Sequence, residues 1–269
     1  MNTIIAASDL SDRSENVLGR AVTLAEQLDG RLLFVHAAPR GMPDMRAEAA
    51  RAQMQEACDT LRGGERAEVR VLRDRPELAI PELAATEKAT LLVLGLHRPR
   101  PVLDLLRLTT MERIVLRTGA PALLAHTAFT RPYSKVLAAL DFSASDAAAL
   151  ALAARLAPDA AFHAIHALQL PLREKLPRGR DSMGTPTLQE ARARCEAWMT
   201  TPGLPEGMNA PEIVPGPPHE VLAFRVDELQ PDLVTIGASS KAEPDRLGNH
   251  ARDLMREPPT DVLVAKAPG

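Results

Sequence analysis

One short stretch occurs twice, and its recurrence restricts the fold more than any other feature of the chain. Ile4-Ile5-Ala6-Ala7-Ser8-Asp9-Leu10-Ser11 and Val136-Leu137-Ala138-Ala139-Leu140-Asp141-Phe142-Ser143 are runs of small and branched apolar residues that stop at Asp-x-Ser. Such a run reads as a buried parallel strand with apolar side chains on both faces, and the Ser or Asp after it suits a helix N-cap. The offset is 141 − 9 = 132 residues. At the same offset Leu18, Ala21, Leu24 and Ala25 fall opposite Leu150, Ala153, Leu156 and Ala157, and after a two-residue slip Val35-His36-Ala37 matches Ile165-His166-Ala167. Agreement over strand, helix and strand points to a duplicated unit.

Each copy continues as alternating strands and helices. In the first, strands are expected at Thr3–Ala7, Arg31–Ala37, Ala67–Leu72, Leu91–Leu94 and Pro121–Ala125. Helices are expected at Ser14–Leu28, Met45–Leu61, Pro76–Ala85 and Val102–Leu116. The second copy repeats the order, with strands near Lys135–Leu140, Phe162–Leu168, Ile213–Val214, Leu233–Ile236 and Val262–Val264, and helices near Ala147–Leu156, Thr187–Met199, His219–Leu229 and Asn249–Met255. Strands separated by helices imply parallel sheets with right-handed crossovers. Two domains follow, residues 1–130 and 131–269, joined by a linker over Thr127–Ser134; each is long enough to bury a core. Leu170–Pro186, rich in Pro, Gly and charge, reads as a surface loop.

Composition narrows the function. A net charge of −3 gives no general pull towards nucleic acid or an anionic membrane, and 3% aromatic residues leave no stacking platform for single strands. The arginines Arg98, Arg100, Arg107, Arg113 and Arg117 read as a solvated or anion-attracting face. The first apolar run is cut by Asp9, which argues against a signal peptide, and no run would span a bilayer, so a cytoplasmic protein is expected. Cys58 and Cys195 occupy matching places in their repeats and read as small buried hydrophobes.

In an open parallel sheet, ligands collect beyond the carboxyl ends of the strands. Asp9 or Asp141 lies there in each half, with the loop that starts at Gly95 or Gly237. In the first half that loop leads to Thr109, where Thr109-Thr110-Met111-Glu112 has capping-box spacing; in the second it leads to Gly248 and Asn249. A helix N-terminus reached through a Gly-bearing loop can hold an anion. Equally, Gly can end a strand and Thr or Asn cap a helix with nothing bound. His36, His166 and His163 read as structural histidines; no metal site and no catalytic residues are expected, for the chain has no Walker loop and no Gly-x-Ser-x-Gly.

The strand that starts each half and ends in Asp-x-Ser, the stretch Leu92–His97 and the run Ala120-Pro121-Ala122-Leu123-Leu124 resemble the universal stress protein family. The second half resembles it through Leu137–Ser143, Leu233–Ser239 and Asp261–Val264, so that the likeness covers nearly the whole chain as a tandem. The resemblance implies two doubly wound, five-stranded α/β domains of order 3-2-1-4-5, a role in stress survival and, in part of the family, adenine nucleotide binding. Nucleotide-binding members carry Gly-x2-Gly-x9-Gly followed by Ser or Thr. Here Gly95 and Thr109 fit, but Arg98 and Leu108 replace the second and third glycines, and Pro99 and Pro101 remove amide donors. In the second half Gly237 fits and Gly248-Asn249 supply the end, but Ser240 replaces a glycine and Glu243 and Asp245 would repel phosphate.

The expected function is therefore a non-enzymatic stress-response regulator that acts through protein contacts and needs no cofactor. The alternative is an ATP-binding module built on Asp9, Gly95 and Thr109, or on Asp141, Gly237, Gly248 and Asn249; a hydrolase at the same site is a third class. The family order puts Pro121–Ala125 and Val262–Val264 at sheet edges, which invites antiparallel pairing of the two as an internal pseudo-dimer about a pseudo-twofold axis. Dimerisation of the whole chain would be a separate contact.

Overall fold

The computed structural model describes residues 2–11, 14–95, 108–128, 131–171, 185–238 and 246–267. Its strands are β1 (Asn2–Ser8), β2 (Gly30–Ala37), β3 (Glu68–Leu72), β4 (Leu91–Gly95), β5 (Ala122–Ala125), β6 (Lys135–Ala139), β7 (Ala161–Leu168), β8 (Glu212–Pro215), β9 (Leu233–Gly237) and β10 (Asp261–Ala265). Its helices are α1 (Ser14–Gln27), α2 (Asp44–Thr60), α3 (Pro76–Thr86), α4 (Thr110–Arg117), α5 (Ala144–Leu156), α6 (Pro186–Trp198), α7 (Pro218–Leu229) and α8 (Asn249–Arg256). The expected helix over Val102–Leu116 is found as α4, with residues 96–107 outside the described set; most of the expected loop Leu170–Pro186 also lies outside it.

The chain forms two compact units: Met1–Pro132 with Arg252–Ala265, and Tyr133–Ala251 with Lys266–Pro268. In the first, the strands run β3-β2-β1-β4-β5, the expected 3-2-1-4-5 order, all parallel. β1 and β4 are buried along almost their whole length, on both faces, which is why their apolar runs are continuous rather than alternating. The closing strand of the second repeat, β10, belongs to this unit as well. It lies antiparallel to β5, with Leu263 opposite Leu123 and Val262 opposite Leu124, so the expected pairing of the two closing strands is present.

A buried charge also fastens β10. Asp261 is fully buried, and its Oδ1 accepts from the amides of His126 and Thr127 and the Thr127 hydroxyl, each at 2.9 Å. Its Oδ2 stands 3.0 Å from Nε of the equally buried Arg20 on α1, and Arg20 Nη1 donates to the Arg131 carbonyl.

The second unit keeps the order β8-β7-β6-β9, all parallel. Its core joins Leu140, Phe142, Leu150, Cys195 and the sole tryptophan, Trp198. Burial pushes the Cys58 thiol up to about 11 and raises that of Cys195, so both cysteines behave as core residues.

One buried polar group in β9 stands out. The Thr235 hydroxyl is fully buried and has no hydrogen-bond partner among the described residues, while the equivalent position in β4 is Val93. An orphaned hydroxyl costs about 1–3 kcal/mol of desolvation. Thr235→Val keeps the shape and is expected to stabilise the second unit by about 1 kcal/mol in urea unfolding followed by Trp198 fluorescence.

Candidate functional site

The Asp-x-Ser turn is built identically in both units. Asp9 Oδ1 accepts from the Ser11 amide at 3.0 Å, and Asp141 Oδ1 from the Ser143 amide at 3.0 Å. Between them Leu10 (φ 60°) and Phe142 (φ 64°) adopt left-handed backbone, which is unfavourable for such bulky residues and is held by the Asp side chain. The histidines form a second shared device: Nδ1 of His36 lies 3.0 Å from the Ser8 carbonyl, and Nδ1 of His166 lies 2.7 Å from that of Leu140. A carbonyl can only accept, so Nδ1 carries the proton in each ring and Nε2 is left as an acceptor in the neutral tautomer. Burial holds His166 below the usual histidine range.

Beyond this shared frame the two strand ends differ. In the first unit a cavity of about 250 Å³ opens at the carboxyl ends of β1, β2 and β4. Its rim carries Ser8, Asp9, Ser14 and His36, and its walls are apolar, with Val17, Ile80 and Met111 among them. Asp9 is exposed on this rim. The Ser8 and Ser14 hydroxyls bond each other at 2.6 Å. Gly95 also lines the cavity; among the described residues a Cβ there would meet Val17 Cγ2 alone, at 3.1 Å.

Thr109 is buried one residue behind the cavity wall, at the N-cap of α4. The expected capping box is complete: the Thr109 hydroxyl accepts from the Glu112 amide at 3.2 Å, and Glu112 Oε2 accepts from the Thr109 amide at 2.6 Å. Glu112 is fully buried, and Arg256 grips both its oxygens from α8, at 2.9 and 3.2 Å. The N-terminus of α4 thus already faces a carboxylate, which opposes a phosphate there.

In the second unit the corresponding end is filled. Asp146, in the place that Ser14 occupies in the first unit, turns its carboxyl group inward. Its Oδ2 accepts from the amides of Asp141 (2.7 Å) and Ser143 (3.2 Å), and its Oδ1 from the amide of Gly237 (2.9 Å). The amide of the candidate Gly237 is therefore engaged within the fold. The Phe142 ring packs between His166 and Trp198, with centroids 4.5 and 5.9 Å away, and Trp198 Nε1 donates to the Ser143 carbonyl. Gly248 bonds back to Ala238, and Asn249 begins α8 exposed to solvent.

Of the candidates, then, Asp9 and Gly95 meet at the open cavity with Thr109 just behind it, whereas Asp141 and Gly237 meet through Asp146. Asp146 is not among the residues that the strand-end pattern singles out, although Ser143-x-x-Asp146 has the spacing of a capping box and forms one. Among the described residues no group of three or more His, Cys, Asp or Glu could hold a metal ion, and no helix is long and apolar enough to cross a membrane.

Two consecutive α/β repeats, each with Asp-x-Ser at the end of its first strand, define a tandem of parallel-sheet units. The model of the universal stress protein family matches residues 1–126 and again 132–266, and the chain belongs to that family. Among solved structures, a universal stress protein from Archaeoglobus fulgidus DSM 4304 is similar with a TM-score of 0.71 at 19% identity, covering 99% of this chain and 96% of that one. A functionally unknown protein from Pseudomonas aeruginosa PAO1 is similar with a TM-score of 0.67 at 18% identity, and a putative universal stress protein from Pseudomonas aeruginosa UCBPP-PA14 with 0.62 at 18%; each match covers 99% of this chain and 93% of that one. At such identities the likeness is one of fold. No curated protein matches the chain.

Proposed function

We propose that the chain is a non-enzymatic stress-response regulator whose first unit takes an adenine nucleoside or its monophosphate, and which passes the signal on through protein contacts. The observation that carries this reading is the asymmetry of the repeat: one strand end is an open cavity rimmed by Asp9, the other is filled by Asp146 and Phe142. The apolar walls suit a base, and the exposed Asp9 carboxylate suits ribose hydroxyls or an exocyclic amine. Little in the site favours a triphosphate. The volume is below the roughly 300–1,000 Å³ of drug-sized ligand sites. Glu112 stands at the helix N-terminus, and Arg98, Leu108, Pro99 and Pro101 replace or weaken the amide cradle. Nor do the rim hydroxyls pair with a base: those of Ser8 and Ser14 bond each other.

Calorimetry with adenosine, AMP and ATP tests this. Adenosine and AMP are expected to bind, with ATP no tighter than AMP. Asp9→Asn, which keeps the oxygen that holds the Ser11 amide, is expected to weaken adenosine roughly tenfold or more, the worth of one charge-assisted hydrogen bond. Tight ATP binding, or ATP turnover with phosphate release, would overturn the reading.

A further inference from the structure

The helix and strand that close the two repeats match at a second offset. Leu123 lies opposite Leu263, 263 − 123 = 140 residues on, and at that offset the buried Ile114 and Val115 of α4 fall on the buried Leu254 and Met255 of α8. The apolar positions of this register are alike, but the charged ones are not. Glu112 falls on Arg252, Leu116 on Arg256 and Pro121 on Asp261. At the earlier offset of 132 residues, Arg20 falls on Leu152.

Within the first unit, which takes in Arg252–Ala265, these unlike residues face each other. Glu112 Oε1 stands 2.9 Å from Arg256 Nε and 3.6 Å from Arg252 Nε, and Asp261 Oδ2 stands 3.0 Å from Arg20 Nε. Glu112 and Asp261 are fully buried, and Arg20 is nearly so. The first repeat thus supplies an acid and a base, and the segment that closes the second repeat supplies their opposites.

We propose that these charges make the β5–α4 edge selective: it accepts the α8–β10 segment of a second repeat, from its own or another copy of the chain, and refuses a second β5–α4 edge. The ladder of Ala122–Leu124 against Val262–Val264 does not discriminate, because an open apolar strand edge pairs as readily with a copy of itself. With β5 of another copy in the same register, each Glu112 would find the other Glu112 where Arg252 stands, and Leu116 where Arg256 stands. Two buried carboxylates would then share one site, which opposes the ionisation of both. Arg20 would find Pro121 in place of Asp261. Two α8–β10 segments fare no better, since their arginines would face one another and Asp261 would find Leu152 in place of Arg20. A buried charge that loses its opposite is costly enough to reject a partner that shape alone would admit.

Disulfide trapping in the full chain tests this selectivity. The register sets residue 123 opposite 263 in the mixed pair, 123 opposite 123 between two β5 strands, and 263 opposite 263 between two β10 strands, all within disulfide reach. Chains carrying Leu123→Cys are refolded with an equal amount of chains carrying Leu263→Cys in a glutathione buffer. A concentration of roughly millimolar lets a second copy compete with the chain's own segment. Peptide mapping then counts the three disulfides. Bonds between 123 and 263 are expected to exceed the 123–123 and 263–263 bonds together by roughly tenfold or more, against the equal share that random pairing gives. Adding Arg20→Met and Glu112→Gln to the Leu123→Cys chain removes the barrier, and 123–123 bonds should then rise several-fold. Glutamine keeps an acceptor for the Thr109 amide, so the cap of α4 stays in place. An equal share in the chains with all charges intact overturns the proposal, and so does a 123–123 yield that ignores the two substitutions. Should the substituted chain fail to fold, the ratio from the chains with all charges intact decides by itself.

Discussion

Asp261→Ala is expected to cost the first unit about 3–5 kcal/mol, the usual penalty for removing one partner of a buried ion pair. The carboxylate is fully buried, and so nearly is the guanidinium of Arg20. Removing the acid takes the carboxylate from that buried guanidinium, and takes their acceptor from the amides of His126 and Thr127 and the Thr127 hydroxyl. The loss falls where β10 meets β5, so the antiparallel pair should fray with it. Arg20→Met is expected to cost less, because three donors still face the Asp261 carboxylate after the arginine has gone. Far-UV circular dichroism in urea reads the difference, while Trp198 fluorescence reports on the second unit and should move less. Equal stability of Asp261→Ala and the wild type would show that the pair does not hold the strand.

The contrast between these partners and the turns explains what the sequence could disclose. Continuous apolar runs at Ile4–Ala7 and Leu91–Leu94 announce strands covered on both faces, because periodicity follows directly from covered faces. The duplication follows from the repeated Asp-x-Ser and its helix, and the Thr109–Glu112 cap from local spacing. Other features depend on residues far apart in the chain. Glu112 reads as a cap, but nothing near it points to Arg256, 144 residues on. Asp146 reads as an ordinary helix-start acid until Gly237, 91 residues away, is brought against it. The left-handed turns at Leu10 and Phe142 carry no glycine or asparagine to betray them. Even helix α5 begins at Ala144 rather than at the expected Ala147, because the Ser143–Asp146 box adds its first turn. That Asp9 and Gly95 lie side by side is legible because the ends of adjacent parallel strands must lie together, whereas the filling of the second strand end depends on side chains that only packing brings in.

That difference between the two strand ends makes Gly237→Ala and Gly95→Ala unequal, although the two glycines stand at matching places in the repeat. At Gly237 an added methyl carbon would sit 2.7 Å from Asp146 Oδ1, 2.8 Å from Ser145 Cβ and 3.0 Å from the Asp146 amide nitrogen. The nearest of these atoms is the oxygen that accepts the Gly237 N–H, so the methyl group displaces the acceptor of its own residue. Backbone must move with it, since the amide nitrogen belongs to the first turn of α5. Overpacking of this kind costs about 1–3 kcal/mol, and leaving buried amides without Asp146 adds a similar amount, so a loss of about 2–4 kcal/mol is expected. At Gly95 the methyl meets, among the described residues, only the end of the Val17 side chain, at 3.1 Å, which a small side-chain shift relieves. Gly95→Ala is therefore expected to fall within about 1 kcal/mol of the wild type, although it narrows the cavity and should weaken any ligand held there. Urea unfolding followed by Trp198 fluorescence, whose indole bonds the Ser143 carbonyl at the same turn, reads the Gly237 change directly. If the Gly237 variant proves as stable as the wild type, β9 does not press on α5 as described, and the filled end of the second unit is looser than its hydrogen bonds imply.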